Sequence, residues 1–109
     1  MPQAAPLDAV MRSLADPTRR AVFERIASAD ECSVAELTEG SGVTQSAISQ
    51  HLRSLKEAGL VVDRAQGRNV YYRLEPKGLA PLADWMGHYG VFWRKRFAGL
   101  RTLLKDIEP

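Results

Sequence analysis

The chain has 109 residues, enough for one core and one compact domain. Its formal net charge of +2 does not by itself argue for a nucleic-acid partner, and the single cysteine, Cys32, excludes an intramolecular disulfide or a multi-thiolate metal site within one chain. No apolar run approaches the roughly eighteen residues a bilayer span needs, and the opening MPQAAPLDAV lacks a basic flank followed by an apolar segment, so a soluble protein of the reducing cytoplasm is expected.

The charge is unevenly distributed. Up to Gly42 four arginines face seven acids, a net of −3, whereas from Val43 onward eleven basic residues face six acids, a net of +5. A basic second part is the polarity of a phosphate-binding face, with plain solvated charge as the alternative.

Leu7, Val10, Met11 and Leu14 recur at helical spacing and predict a first amphipathic helix over about 6–15. Asp16 followed by Pro17 is a helix start: Asp caps, and proline takes the first helical position, where its missing N–H is not needed. The helix that follows runs to about Ala29, with Val22, Phe23 and Ile26 on its buried side and Arg19, Arg20, Glu24 and Arg25 facing out.

The stretch 33–60, SVAELTEGSGVTQSAISQHLRSLKEAGL, reads as two helices joined by a tight turn. Ser33 and Glu36 have the spacing of a capping box, and Gly40 and Gly42 bend the chain. Thr44 caps the second helix, which ends at Gly59. Ile48, Leu52 and Leu55 form its apolar stripe. At about 100° per residue, Gln45, Ser46, Ser49, Gln50 and Arg53 gather on the opposite side. Small and amide side chains there suit a major groove, where Gln pairs with base edges and Ser with bases or phosphates. The competing reading is the wet face of an ordinary amphipathic helix.

Beyond Gly59, LVVDRAQGRNVYYRLEP has hairpin composition: a strand over 60–64, a turn over Ala65, Gln66 and Gly67, and a strand over 68–74 with Val70, Tyr72 and Leu74 on one face. Its tip carries Arg64, Gln66, Arg68 and Asn69, cations and amides suited to backbone contact beside a recognition helix. A final helix is expected over about 79–106, with Pro81 in its first turn and Gly87, Gly90 and Gly99 weakening it. Along it Leu82, Met86, Tyr89, Trp93, Phe97, Leu100 and Leu104 step by three or four, and Trp85, Phe92 and Leu103 widen the seam. So small a domain cannot hide both sides of so long a helix, and aromatics favour interface centres. A homodimer is expected, with Leu7, Val10 and Met11 of the first helix joining the contact; aromatics folded back as plain core are the alternative.

The segments LADPTRRAVFERI (14–26), VAELTEGSGVTQSAISQHLRSLKEAGLV (34–61) and GRNVYYRL (67–74) together make the sequence resemble the ArsR-type family of bacterial winged-helix transcriptional regulators. The resemblance spans nearly the whole chain. It implies a mainly α fold with a small β-hairpin: a single winged helix-turn-helix domain, helix-turn-helix over about 33–59, wing over about 60–74, and terminal helices that dimerise. It also implies a dimer that binds an operator in double-stranded DNA, usually as a repressor released by an inducing signal. By position the reading helix matches 44–58, with Gln45, Ser46, Ser49 and Gln50 at base-contacting places and Thr44 and Arg53 also against DNA, while His51, at the edge of the apolar stripe, suits packing or a phosphate.

The chain departs from metal-sensing relatives. Their Cys-x-Cys pair is replaced here by Cys32, Ser33 and Val34, and of their Asp/His clusters only Asp84 and His88 remain, one turn apart. No metal or other cofactor is therefore expected. Cys32 reads as a buried inert thiol rather than an oxidation sensor. A winged-helix module that binds protein instead of DNA would need an acidic or apolar recognition face, which this helix lacks. An enzyme is disfavoured because no nucleophile, base and orienting group cluster, and no phosphate-cradling glycine loop follows a strand.

Overall fold

The computed structural model describes residues 6–107. Two helices, α1 (Pro6–Ala15) and α2 (Pro17–Ala29), lead into a short strand β1 (Glu31–Ser33). The helix-turn-helix pair α3 (Val34–Thr38) and α4 (Gln45–Glu57) comes next, followed by the hairpin β2 (Val61–Gln66) and β3 (Asn69–Leu74). Two further helices, α5 (Ala80–Gly87) and α6 (Gly90–Ile107), complete the chain.

The expected caps set the helix boundaries. Asp16 Oδ1 accepts from the Arg19 N–H at 3.0 Å and Pro17 occupies the first position of α2. At α3 the capping box closes in both directions: Glu36 N–H donates to Ser33 Oγ at 3.1 Å, and Ser33 N–H to Glu36 Oε1 at 3.0 Å. Helix α4 ends in a Schellman arrangement, with Leu60 N–H donating to the Leu55 carbonyl at 2.9 Å and Gly59 N–H to that of Lys56 at 3.0 Å. Gly59 takes φ 77°, where a Cβ would be strained.

The core lies where α2, α3, α4 and the hairpin root converge. Ile26, Ile48, Leu52 and Leu55 are 0% exposed and meet Val22, Phe23, Leu37, Leu60 and Val61, with Tyr72 and Leu74 packed alongside. Each such side chain contributes about 1.5–3 kcal/mol of burial, which fixes α4 on the body by one stripe. The link from β3 to α5 is pinned by contact: a Cβ on Gly78 would stand 2.6 Å from the Gly59 carbonyl oxygen, so only glycine fits there.

Three expectations are corrected. The sheet has three strands, in the order β1-β3-β2, because Glu31–Ser33 pairs antiparallel with Tyr71–Arg73. The wing turn is two residues, Gly67 and Arg68, and β2 extends to Gln66, paired with Asn69. Gly67 at φ 61° supplies the positive φ that a tight hairpin needs at its first turn position. The terminal helix is broken at His88 and Tyr89, between Gly87 and Gly90, whose low helix propensity makes this the weakest point. Arg20 and Arg25 face out as expected, and their guanidinium groups also reach back to helix ends. Arg20 donates to the Leu14 carbonyl at 2.8 Å, and Arg25 to those of Leu37 and Glu39, both at 3.1 Å, satisfying carbonyls at the ends of α1 and α3.

Candidate nucleic-acid interface

Thr44 opens the helix that carries the polar face, its Oγ1 accepting from the Ala47 N–H at 3.1 Å. The preceding turn is closed by Ser41, which donates from Oγ to the Thr38 carbonyl at 2.7 Å and accepts from the Val43 N–H at 3.2 Å. Gly40 and Gly42 provide the left-handed backbone, at φ 71° and 77°.

With the stripe buried, Thr44, Gln45, Ser46, Ser49, Gln50 and Arg53 are all exposed. No protein group takes the side-chain hydrogen bonds of Gln45, Ser46, Ser49, Gln50 or Arg53 among the described residues. They form one continuous side, two amides, two hydroxyls and a cation, with nothing large or apolar to hold a helix out of a groove. His51 is different: its ring is half-buried and its Nδ1 is buried without a partner among the described residues, so it belongs to the flank where α4 meets the body.

At the wing, Arg68 and Asn69 stand exposed at the tip. Arg64 does not join them. Its Nε and Nη2 donate to the two carboxylate oxygens of Glu31 at 2.9 and 2.6 Å, its Nη1 donates to Gln66 Oε1, and its face lies 4.9 Å from the Tyr71 ring centroid. With three of its five N–H donors engaged, Arg64, expected from the sequence at the DNA backbone, anchors the wing to β1. The pairing holds the Glu31 carboxyl below its ordinary range, chiefly through the hydrogen bond from Arg64. On the other face of β2, Lys56 Nζ pairs with Asp63 at 3.1 Å, tying α4 to the wing.

A second exposed face is apolar. Trp85, Met86, Tyr89, Phe92 and Trp93 line a depression of about 560 Å³ on the outside of α5 and α6. Trp85 and Tyr89 meet edge to face at 5.4 Å, as do Phe92 and Trp93 at 5.2 Å, and Trp93 stacks on Phe97 at 6.2 Å. The aromatic strip therefore continues across the break between the helices. Leu100 prolongs it and Met11 of α1 is exposed, with α1 packed against α5. Leu7 is half-buried, and Leu82 leans on the protomer's own core. Val10, at 1% exposure, is core and cannot reach a partner, because its turn of α1 rests on the body.

Cys32 is buried opposite Tyr72, and burial, with Glu36 nearby, pushes its thiol pKa up, against thiolate chemistry. Asp84 and His88 lie at the end of α5, and no group of three or more His, Cys, Asp or Glu side chains that could hold a metal ion occurs among the described residues. No helix among them is long and apolar enough to cross a membrane. What sequence reasoning missed is Glu31, whose partner lies 33 residues away.

Residues 14–64 match a family model described as a helix-turn-helix domain. The chain is similar to the HTH-type transcriptional regulator Rv2034 of Mycobacterium tuberculosis, 40% identical over 97 residues, 89% of this chain and 87% of that one. It is also similar to the arsenic resistance transcriptional regulator ArsR1 of Pseudomonas putida, 46% identical over 68 residues, which span 62% of this chain and only 53% of that protein. Among solved structures, an ArsR-like transcriptional regulator from Rhodococcus sp. RHA1 superposes with a TM-score of 0.70 at 28% identity, covering 90% of this chain and 92% of that one. Likeness in sequence and fold converges on regulators and not on enzymes: the chain belongs to the ArsR-type family of winged helix-turn-helix transcriptional regulators.

Proposed function

We propose that the chain works in the cytoplasm as a symmetric dimer, a repressor that lays its two copies of α4 in successive major grooves of a near-palindromic operator, about 34–36 Å apart. The observation that carries this reading is the division of α4 into a fully buried apolar stripe and an exposed side made of Gln45, Ser46, Ser49, Gln50 and Arg53. Gln45 and Gln50 read base edges, Thr44, Ser46 and Ser49 contact bases or phosphates, and Arg68 and Asn69 at the wing tip meet the backbone. The exposed aromatic strip of α5 and α6 supports the dimer, since a second copy of the same strip covers it by two-fold symmetry. An inducing signal releases the operator.

A mobility-shift titration on the gene's own upstream DNA tests this, with salt varied. Gln50→Ala should cost about 1–3 kcal/mol on the operator and little on unrelated DNA. Arg68→Ala should weaken both alike and reduce the salt slope by about one. Equal retention of operator and unrelated DNA by the wild-type chain would end the proposal.

A further inference from the structure

A cleft of about 210 Å³ opens where the end of α1 and the start of α2 face the C-terminal half of α4, with Arg12, Ser13, Arg19, Ser54 and Glu57 on its walls. Two of its polar atoms are buried without a hydrogen-bond partner among the described residues: Ser13 Oγ, on a residue only 3% exposed, and Arg19 Nε. Buried polar groups are paired in the great majority of cases, so two orphans on one cleft mark a place shaped for a ligand that accepts hydrogen bonds.

Arg19 is held from behind. Its backbone N–H donates to Asp16 Oδ1 at 3.0 Å and its Nη1 to the Ser13 carbonyl at 3.2 Å. The Nε and Nη2 edge is left, the pair of parallel donors that meets two oxygens of one carboxylate or phosphate. The walls carry two arginines against one glutamate, and none of the three forms an ion pair among the described residues. A surplus of one positive charge matches a ligand with one negative charge.

We propose that this cleft binds a single monoanionic oxyanion, a carboxylate or a phosphodiester group, gripped by the Arg19 fork with the hydroxyls of Ser13 and Ser54 donating. The two sources differ: a small carboxylate comes from solution, a phosphodiester from the DNA backbone. In either case the anion ties the corner between α1 and α2 to the helix that carries Gln45 and Gln50. His51, one turn before Ser54, adds a third buried unpartnered atom, Nδ1, on that flank of α4.

The test titrates the full chain, free of DNA, with acetate and separately with dimethyl phosphate at constant ionic strength, chloride serving as control, while backbone amide shifts are followed. Saturable shifts at Ser13, Arg19 and Ser54, weakened at least tenfold in Ser13→Ala and Ser54→Ala, support the site; saturation by acetate assigns its ligand to solution, and saturation by dimethyl phosphate alone assigns it to the DNA backbone. This arm does not depend on DNA binding. If neither anion saturates, the salt dependence of operator binding decides: a slope reduced by about one in Arg19→Gln supports the site with the duplex as source. That second arm rests on the proposed DNA reading. Shifts that grow equally with chloride, or saturation untouched by both serine variants, together with an unchanged salt slope, overturn the proposal.

Discussion

Helices α4 and α6 carry the same kind of stripe and meet opposite fates. In α4, Ile48, Leu52 and Leu55 are 0% exposed; in α6, Phe92, Trp93, Phe97 and Leu100 are 47, 42, 57 and 51% exposed. Each helix has apolar residues at steps of three and four with charge between them, so the periodicity alone does not separate the two. What separates them is position. Helix α4 is enclosed by α2, α3 and β2, whereas α6, about 27 Å long, packs extensively on no other element among the described residues. A stripe announces that it must be covered; the topology decides whether the same chain or a second copy covers it.

Truncating each stripe should break this comparison in different ways. Leu52→Ala opens a cavity in a closed core and should cost about 2–5 kcal/mol, read as a lower urea midpoint at every protein concentration. Trp93→Ala should leave the secondary structure intact and weaken the dimer about thirtyfold or more, as expected for a buried aromatic anchor worth about 2 kcal/mol. Sedimentation equilibrium reads that change directly. A Trp93→Ala chain with undiminished dimer mass would place the contact elsewhere.

The same contrast governs how much of the molecule was legible in its sequence. Helix starts were readable because their signals are local: Asp16 before Pro17, Ser33 three residues before Glu36, and Thr44 ahead of an apolar stripe. The exposed side of α4 followed from that stripe alone. Strand β1 was not readable, since three residues carry no period and its pairing depends on Tyr71–Arg73, far along the chain. Nor was the engagement of Arg64, whose carboxylate partner is set by the sheet order and not by spacing. The break at His88 and Tyr89 was foreshadowed by Gly87 and Gly90, but a seam that stays in phase across a two-residue interruption conceals it.

A smaller effect is expected where α2 hands the chain to β1. Asp30 takes φ 66°, the one non-glycine residue at positive φ among the described residues. Such a conformation costs an L side chain about 1–3 kcal/mol, while glycine adds about 0.5–1 kcal/mol of unfolded-state entropy. Asp30→Gly should therefore stabilise the body by about 1 kcal/mol, seen as a raised urea midpoint, and should leave the dimer constant of the α5 and α6 face untouched. A lowered midpoint would mean that the Asp30 side chain holds the junction.

The smallest effect concerns the wing, which is neither closed core nor bare face. Glu31 has its carboxyl pKa lowered from an ordinary 4.5, first by the hydrogen bond from Arg64 and against an opposing desolvation. A carboxylate depressed in the folded state contributes stability that is present above its unfolded pKa and is lost as pH falls through the lower folded value. The contribution is therefore full at neutral pH and disappears only in acid, below about 4.5, and high salt should trim it because the pair is exposed. Glu31→Gln should flatten that acid limb in a urea series run from pH 6 to 3. The same substitution frees the Arg64 guanidinium beside a tip that already carries Arg68, so the salt slope of DNA binding should steepen by about one. A steeper slope with an unchanged acid limb would mean that Glu31 restrains Arg64 without stabilising the sheet. An unchanged slope would show that Tyr71 and Gln66 suffice to keep Arg64 on the wing.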